Sequence, residues 1–291
     1  MMQSVQREKV ADNVYYFQSE TYAVVTAGVI VGPQWAVLID TLATPEEIFA
    51  VRQFVEHDLG VRVRYIVNTH YHADHAWGNC FFPEATVIGH KLARDFLEQR
   101  GKPSLESSRK INASYKKIQI ILPQVTFESG SLILQVGKKS LNLMPLPGHT
   151  ADGIGVFIEE DRVLFAGDAF MELPFIVDGN LEAQVHTLKE IAKFGLENII
   201  QGHGDIILRG EIDGAIRENL SYLAAIRHVV EKAHKKNYPG DYLTGITVED
   251  SGKSRVLIGG MAEELHQRNL KALYRQVFGE LPALEEFDDE G

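Results

Sequence analysis

The run His70-Tyr71-His72-Ala73-Asp74-His75 places three imidazoles and one carboxylate in six consecutive residues. Imidazole is the commonest side-chain ligand of transition metals, and carboxylate completes harder sites. On an extended segment His70 and His72 point the same way. Asp74 and His75 follow at the start of a new turn and can reach a second position. Ligand types at this density predict a metal site rather than a solvated polar loop. A two-metal site needs more ligands than this loop supplies, and three later segments offer them. Pro147-Gly148-His149-Thr150 follows the apolar run Leu141 to Leu146, Gly167-Asp168-Ala169 follows Arg162 to Ala166, and Gly202-His203-Gly204 follows Ile199-Ile200-Gln201. Each is a short strand-like run, a glycine, then His or Asp. The glycine lets the backbone turn sharply or approach an ion closely.

Sequence pattern also indicates the elements that must carry these residues. Val14 to Gln18, Ala23 to Val31 and Trp35 to Asp40 predict strands of a meander, with Gly32-Pro33 as a turn. Thr44-Pro45-Glu46-Glu47 predicts a helix start, with Thr44 as cap and Pro45 at the first helical position. Ile48, Val51, Phe54 and Val55 then mark its buried face. Val61 to Val67 predicts a buried strand, which puts His70 at a carboxyl strand end. Residues 90–124 read as a helical insertion between the sheet halves, with helices at Lys91 to Leu97 and Ser114 to Ile118 broken by Gly101-Lys102-Pro103-Ser104. Its role is either a substrate lid or packing over a sheet edge. Strands resume at Leu132 to Val136, Ser140 to Met144, Gly155 to Glu159 and Arg162 to Phe165. Asp213 to Lys235 and Ala262 to Phe278 carry apolar residues at helical spacing, separated by Pro239-Gly240, with a loop over Thr244 to Lys253.

With these residues in view, the chain resembles the metallo-β-lactamase-fold metallohydrolase superfamily, in its Asp-bridged two-metal branch of glyoxalase II-like and lactonase-like hydrolases. His70, His72, Asp74 and His75 match the family's signature loop, and His149, Asp168 and His203 match its later ligands in order. The resemblance covers roughly residues 12 to 210. It implies one metal on His70, His72 and His149, a second on Asp74, His75 and His203, and Asp168 bridging both. It also implies an α/β fold, a four-layer αββα sandwich with a helical insertion and a C-terminal helical appendage. The expected domains are a catalytic domain at 12–210, with the insertion at about 90–124, a helical extension packed on it at 211–280, and an acidic tail at 281–291. Asp40 resembles a recurrent acid of the family behind the site, with Thr41 beside it; Thr150 and Asp152 are further candidates there. Trp77, Phe170, Met171 and Phe175 flank the ligand loops and are candidate pocket walls. The Tyr71 ring is expected to point away from the metals, and Cys80 to be a buried structural thiol.

A metal-bound water reaches a pKa of about 7, and two ions about 3.5–4 Å apart can share the resulting hydroxide and polarise an electrophile. The expected activity is metal-dependent hydrolysis of a small ester-like substrate (thioester, lactone or carboxylic ester) by a metal-bridging hydroxide. Asp168 and Asp74 are the candidate catalytic residues. Asp168 would set the separation of the ions, and Asp74 would also pass a proton to the leaving group. Two divalent ions are expected, zinc first, with iron or manganese as alternatives. Many secreted β-lactamases of the family use Cys where this chain has Asp168. Two other readings remain: a persulfide dioxygenase-like oxidoreductase, with one non-haem iron on His70, His149 and Asp168, and a phosphodiesterase.

Composition narrows the partners. The chain has 291 residues and a net charge of −11. Glu285, Glu286, Asp288, Asp289 and Glu290 concentrate part of that charge in the tail. The mildly acidic remainder argues against a nucleic-acid partner, which would need a basic stripe. There is no apolar run long enough to span a membrane, and Met1 to Glu8 lack the apolar stretch of a secretory signal. The single cysteine precludes an intrachain disulfide and suits a reducing cytoplasm. The expectation is a cytoplasmic enzyme with a small-molecule substrate and no nucleic-acid or membrane partner, and a homo-oligomer left open.

Overall fold

The computed structural model describes residues 5–281. Residues 1–4 and the acidic tail from 282 onward lie outside the described residues. Seven strands form one sheet in chain order: β1 (Gln6–Ala11), β2 (Val14–Gln18), β3 (Thr26–Val31), β4 (Trp35–Ile39), β5 (Arg62–Val67), β6 (Thr86–His90) and β7 (Val125–Phe127). Six form the other: β8 (Leu132–Val136), β9 (Lys139–Pro145), β10 (Ile154–Ile158), β11 (Val163–Gly167), β12 (Asn198–Gln201) and β13 (Ile207–Leu208), in the order β13-β12-β11-β10-β9-β8. β1 to β4 form the antiparallel meander, and β4 to β7 run parallel. In the second sheet only β11 and β12 pair in parallel.

Parallel neighbours need crossover segments, and helices supply them. α1 (Pro45–Gln53) joins β4 to β5, α2 (Ala73–Ala76) follows β5, α3 (Lys91–Phe96) and α4 (Lys102–Ile111) join β6 to β7, and α5 (Leu181–Ile191) joins β11 to β12. α6 (Arg209–Ala233), α7 (Pro239–Thr244) and α8 (Ala262–Phe278) complete the chain.

The two-residue period of a strand explains the layering. Val37 and Ile39 of β4 face the second sheet and meet Val163 and Phe165 of β11 in the central core. Their neighbours Ala36 and Leu38 point outward onto Ile48 and Val51 of α1. Leu164 and Ile199 point outward from the second sheet onto Leu188, Leu223 and Leu270 of α5, α6 and α8. Both faces of both sheets are therefore covered, which gives four layers, α-β-β-α. Each fully buried aliphatic side chain contributes about 1.5–3 kcal/mol. Among the described residues no helix is long and apolar enough to cross a membrane.

Thr44 caps α1 as expected, accepting from the Glu47 backbone N–H at 3.4 Å. Several expectations fail locally. The strand placed at Ala23 begins only at Thr26, because Ala23 and Val24 both adopt φ of 48°, outside the strand region. Gly101 to Ser104 do not break the insertion. A widened turn at Leu97–Gly101 carries the helix into α4, with Pro103 in its first turn, where a missing N–H costs little. Ser114 to Ile118 form a short 3-10 turn instead of a helix. Pro239-Gly240 opens α7, which occupies part of a stretch expected to be a connection. The insertion lies within the first sheet, between β6 and β7, not between the two sheets.

Candidate metal centre

Strands of both sheets end at one edge, and the segments leaving them carry the ligand types. The His70–His75 loop follows β5, His149 follows β9, Asp168 follows β11 and His203 follows β12. Backbone hydrogen bonds knit the sheets together there: Thr26 N–H to Gly202 O, Gly204 N–H to Val24 O, and Ile154 N–H to Thr69 O. The left-handed turn at Ala23 and Val24 belongs to this seam, since it lets Val25 pair with His203. Gly202 serves close approach: a Cβ there would stand 1.8 Å from Asp168 Oδ1.

The structure brings all seven side chains singled out above into two adjoining groups. Ligand atoms of His70, His72, His149 and Asp168 lie within 4.8 Å of one another, as do those of Asp74, His75 and His203. Asp168 faces both groups. Its Oδ2 lies 3.7 Å from His70 Nε2, 3.2 Å from His149 Nε2 and 3.5 Å from His203 Nε2, and its Oδ1 lies 3.3 Å from His75 Nε2. Asp74 Oδ2 is 3.4 Å from His203 Nε2 and 3.8 Å from His75 Nε2.

Each of the five rings is held by its far nitrogen. His149 Nδ1 donates to Phe175 O at 2.6 Å and His203 Nδ1 to Ala23 O at 2.9 Å. A carbonyl can only accept, so these bonds leave Nε2 of a neutral ring with a bare lone pair. His75 Nδ1 lies 2.8 Å from Asp40 Oδ2, and His70 Nδ1 lies 3.1 Å from Thr69 Oγ1, which itself donates to Asp40. His72 Nε2 lies 3.1 Å from Asp178 Oδ2. His70 Nε2, His75 Nε2 and Asp168 Oδ1 are buried yet make no hydrogen bond. Meanwhile His72 Nδ1 and His149 Nε2 stand only 2.9 Å apart. Converging lone pairs and orphaned buried atoms fit a divalent cation accepting nitrogen and carboxylate ligands.

The electrostatics agree. Burial holds His149 down to about 4 and His70 well below the ordinary imidazole value, so both rings are neutral near pH 7. Burial opposes charge on His75 and His203 as well, but nearby carboxylates, Asp168 foremost, outweigh it and raise both. Asp168 stays ionised: burial works against it, but the surrounding imidazoles, His203 and His75 foremost, hold its carboxyl well below the usual range.

The cluster floors an open cavity of about 390 Å³. Trp77, Met171 and Phe175 line it, whereas Phe170 is buried in the core. Cys80 is only half-buried, donating to Trp77 O, and is absent from the lining. The Tyr71 ring leans on His72 with centroids 4.6 Å apart, and its hydroxyl donates to Asp178, the carboxylate at the far nitrogen of His72. Burial and that bond push the Tyr71 phenol up to about 12. From the insertion, Arg100, Gly101 and Ser104 reach the cavity wall. Thr41 donates to His75 O at 3.0 Å, and Thr150 and Asp152 are buried beside the His149 loop. Sequence reasoning missed Asp178, Tyr22 and Arg268, which lie in loops or on a helix far along the chain with no ligand-like spacing to mark them.

A sequence model described as the metallo-beta-lactamase superfamily matches residues 21–240. The chain belongs to that superfamily. It is 24% identical over 137 residues to a hydroxyacylglutathione hydrolase of Methylococcus capsulatus, covering 45% of this chain and 44% of that protein. It is 25% identical over 174 residues to an atrochrysone carboxyl ACP thioesterase of Aspergillus fumigatus, covering 58% of this chain and 49% of the relative. The chain thus spans less than half the length of these two superfamily relatives. A solved metallo-beta-lactamase from Pontibacter korlensis superposes with a TM-score of 0.62 at 18% identity, over 75% of this chain and 99% of its own, and shows the shared fold.

Proposed function

We propose that this superfamily member is a two-metal hydrolase of a small ester-like substrate: a thioester, lactone or carboxylic ester. The observation that carries the reading is the Asp168 carboxylate, which stands between the two groups, with Oδ2 within 3.7 Å of His70, His149 and His203 and Oδ1 3.3 Å from His75. His70, His72 and His149 would hold one ion, Asp74, His75 and His203 the second, and Asp168, facing both groups, would serve the two together. Zinc suits this nitrogen-rich set, with iron or manganese as alternatives. When bound, the pair would lower the pKa of a coordinated water and polarise the substrate carbonyl. The rest falls to the protein. Asp168 would offset charge between the ions, Asp40 and the Phe175 and Ala23 carbonyls keep the rings aimed, and Asp74, facing the cavity, would take the proton given up by the attacking water and hand it to the leaving group. Hydrolase and thioesterase names among the relatives support an acyl-transfer substrate.

The test is metal quantification followed by a hydrolysis panel on the same sample, spanning lactones, glutathione thioesters, aryl esters, phosphodiesters and a β-lactam. Two ions per chain and turnover of an acyl ester are expected. One iron with oxygen consumption, or cleavage of phosphodiesters alone, would overturn the reading. Asp74→Asn with unchanged metal content and turnover would remove Asp74 from its role.

A further inference from the structure

The cavity has a floor of metal-ligand types and a wall of a different character. Met171, Phe175, Ile258, Met261 and Leu265 form one side, so an occupant's body meets hydrocarbon there. Outside the ligand cluster, three charged side chains line the cavity: Arg100, Asp178 and Arg268. The first two offset one another across the Tyr71 hydroxyl, which donates to Asp178 and accepts from Arg100 at 3.5 Å. Arg268 is not neutralised in this way. Glu264, one turn earlier on α8, stands 3.9 Å away with side-chain exposures of 53% for Arg268 and 69% for Glu264. An exposed pair at that distance contributes little. The guanidinium instead lies over the Phe175 ring, 5.0 Å from its centroid, and that ring lies 5.9 Å from the His149 ring. A cation therefore stands one aromatic ring away from the ligand cluster, at the end of an apolar wall.

We propose that Arg268 is the anion anchor of this cavity, and that the substrate joins its scissile acyl bond through an apolar body to a single carboxylate. This rests on the hydrolase reading above and narrows its substrate class. A guanidinium matches a carboxylate with two parallel hydrogen bonds, and stacking on Phe175 leaves the fork less freedom to lose on binding. A single carboxylate suits the charge balance better than a phosphate dianion. Outside the ligand cluster and the mutually offset Arg100 and Asp178, Arg268 is the one charged side chain lining the cavity among the described residues, and its single fork matches one carboxylate. A peptide-like body such as glutathione would set its amides against hydrocarbon without partners, which is unfavourable.

The experiment uses the metal-loaded full chain and two matched naphthyl acetates, one bearing a carboxylate and the other its neutral methylamide. Arg268→Met should raise KM for the carboxylate ester about tenfold more than for its twin, the worth of one charged hydrogen-bonding contact. Arg268→Lys should recover part of that difference, with metal content and thermal midpoint measured on every variant. Equal changes on both esters would overturn the anchor, and a preference for a hydroxyacyl-glutathione over both would overturn the apolar body. If the wild-type chain cleaves neither these esters nor any lactone, thioester or aryl ester of the panel, the hydrolase reading fails by itself. Calorimetry with the carboxylate-bearing naphthol then decides the anchor, since binding weakened about tenfold by Arg268→Met supports it and unchanged binding refutes it.

Discussion

Replacing Asn269 by alanine should loosen the metal centre from the far side of the second sheet. Asn269 is fully buried on α8. Its Oδ1 accepts from Ile176 N–H at 2.9 Å, and its Nδ2 donates to Pro174 O at 2.8 Å and to the Tyr222 hydroxyl at 3.0 Å. Between those two backbone groups lies Phe175, whose carbonyl orients His149, and two residues beyond Ile176 lies Asp178, which faces His72. One amide on α8 thus clamps the segment that aims two of the proposed ligands. In Asn269→Ala the Ile176 N–H and Pro174 C=O lose their side-chain partner. Each buried unpaired group costs about 1–3 kcal/mol, so the variant should lose about 2–6 kcal/mol. That is a large part of a stability of order 5–15 kcal/mol. Because the same segment orients His149, zinc affinity should also fall about 10–100-fold, the usual cost of losing an outer support. Urea unfolding gives the first number, and chelator competition well below the melting temperature gives the second. Asn269→Asp keeps an acceptor for Ile176 N–H and should fall between. If Asn269→Ala loses stability but holds zinc as tightly as the parent, the loop keeps its shape without α8 and the reasoning is wrong.

Three further outcomes follow from the geometry. Gly202→Ala would thrust a Cβ to 1.8 Å from Asp168 Oδ1, so it should cost about 1–3 kcal/mol and most of the bound metal; full metal occupancy by mass spectrometry would contradict this. Asp40→Asn turns an amide donor toward Thr69 and His75, both of which now donate to Asp40, and should weaken zinc binding about 10–100-fold in the same chelator assay. Burial holds the Lys253 amine below its ordinary pKa despite Glu218 and Glu172 nearby. The folded state then binds fewer protons than the unfolded state between that lowered value and about 10.4, so this group's contribution to stability rises with pH across that window. Wild type should gain on Lys253→Met in urea midpoint from about pH 8 to about pH 10, and a flat difference would show that Lys253 titrates normally.

How far the molecule can be read from its sequence varies along the chain. The seven metal-type residues that converge at the strand ends are those picked out by residue type and by a glycine after a short apolar run. Thr44-Pro45 marked the start of α1 because its cap is local, and α8 spans the residues whose spacing predicted it. Other features carried signals that went unread: Asn180 caps α5, and Leu181, Leu188 and Ile191 mark its buried face. β7 has only three residues and is held by pairing to β6, which no local pattern announces. Pro103 misled because a proline breaks a helix interior but is tolerated in a first turn, and the widened turn before it was not visible in composition.

The chain's own pattern determined that residues of metal-ligand type lie at strand ends, since residue chemistry and strand alternation are both local. Only the tertiary structure decided which of their atoms converge and what stands around them. The proton on His149 sits on Nδ1 because a carbonyl 26 residues away accepts it, and the wall opposite is closed by α8 from the other end of the chain. Those contacts depend on how two sheets and their covering helices pack, and packing joins residues whose separation in sequence carries no periodic signal.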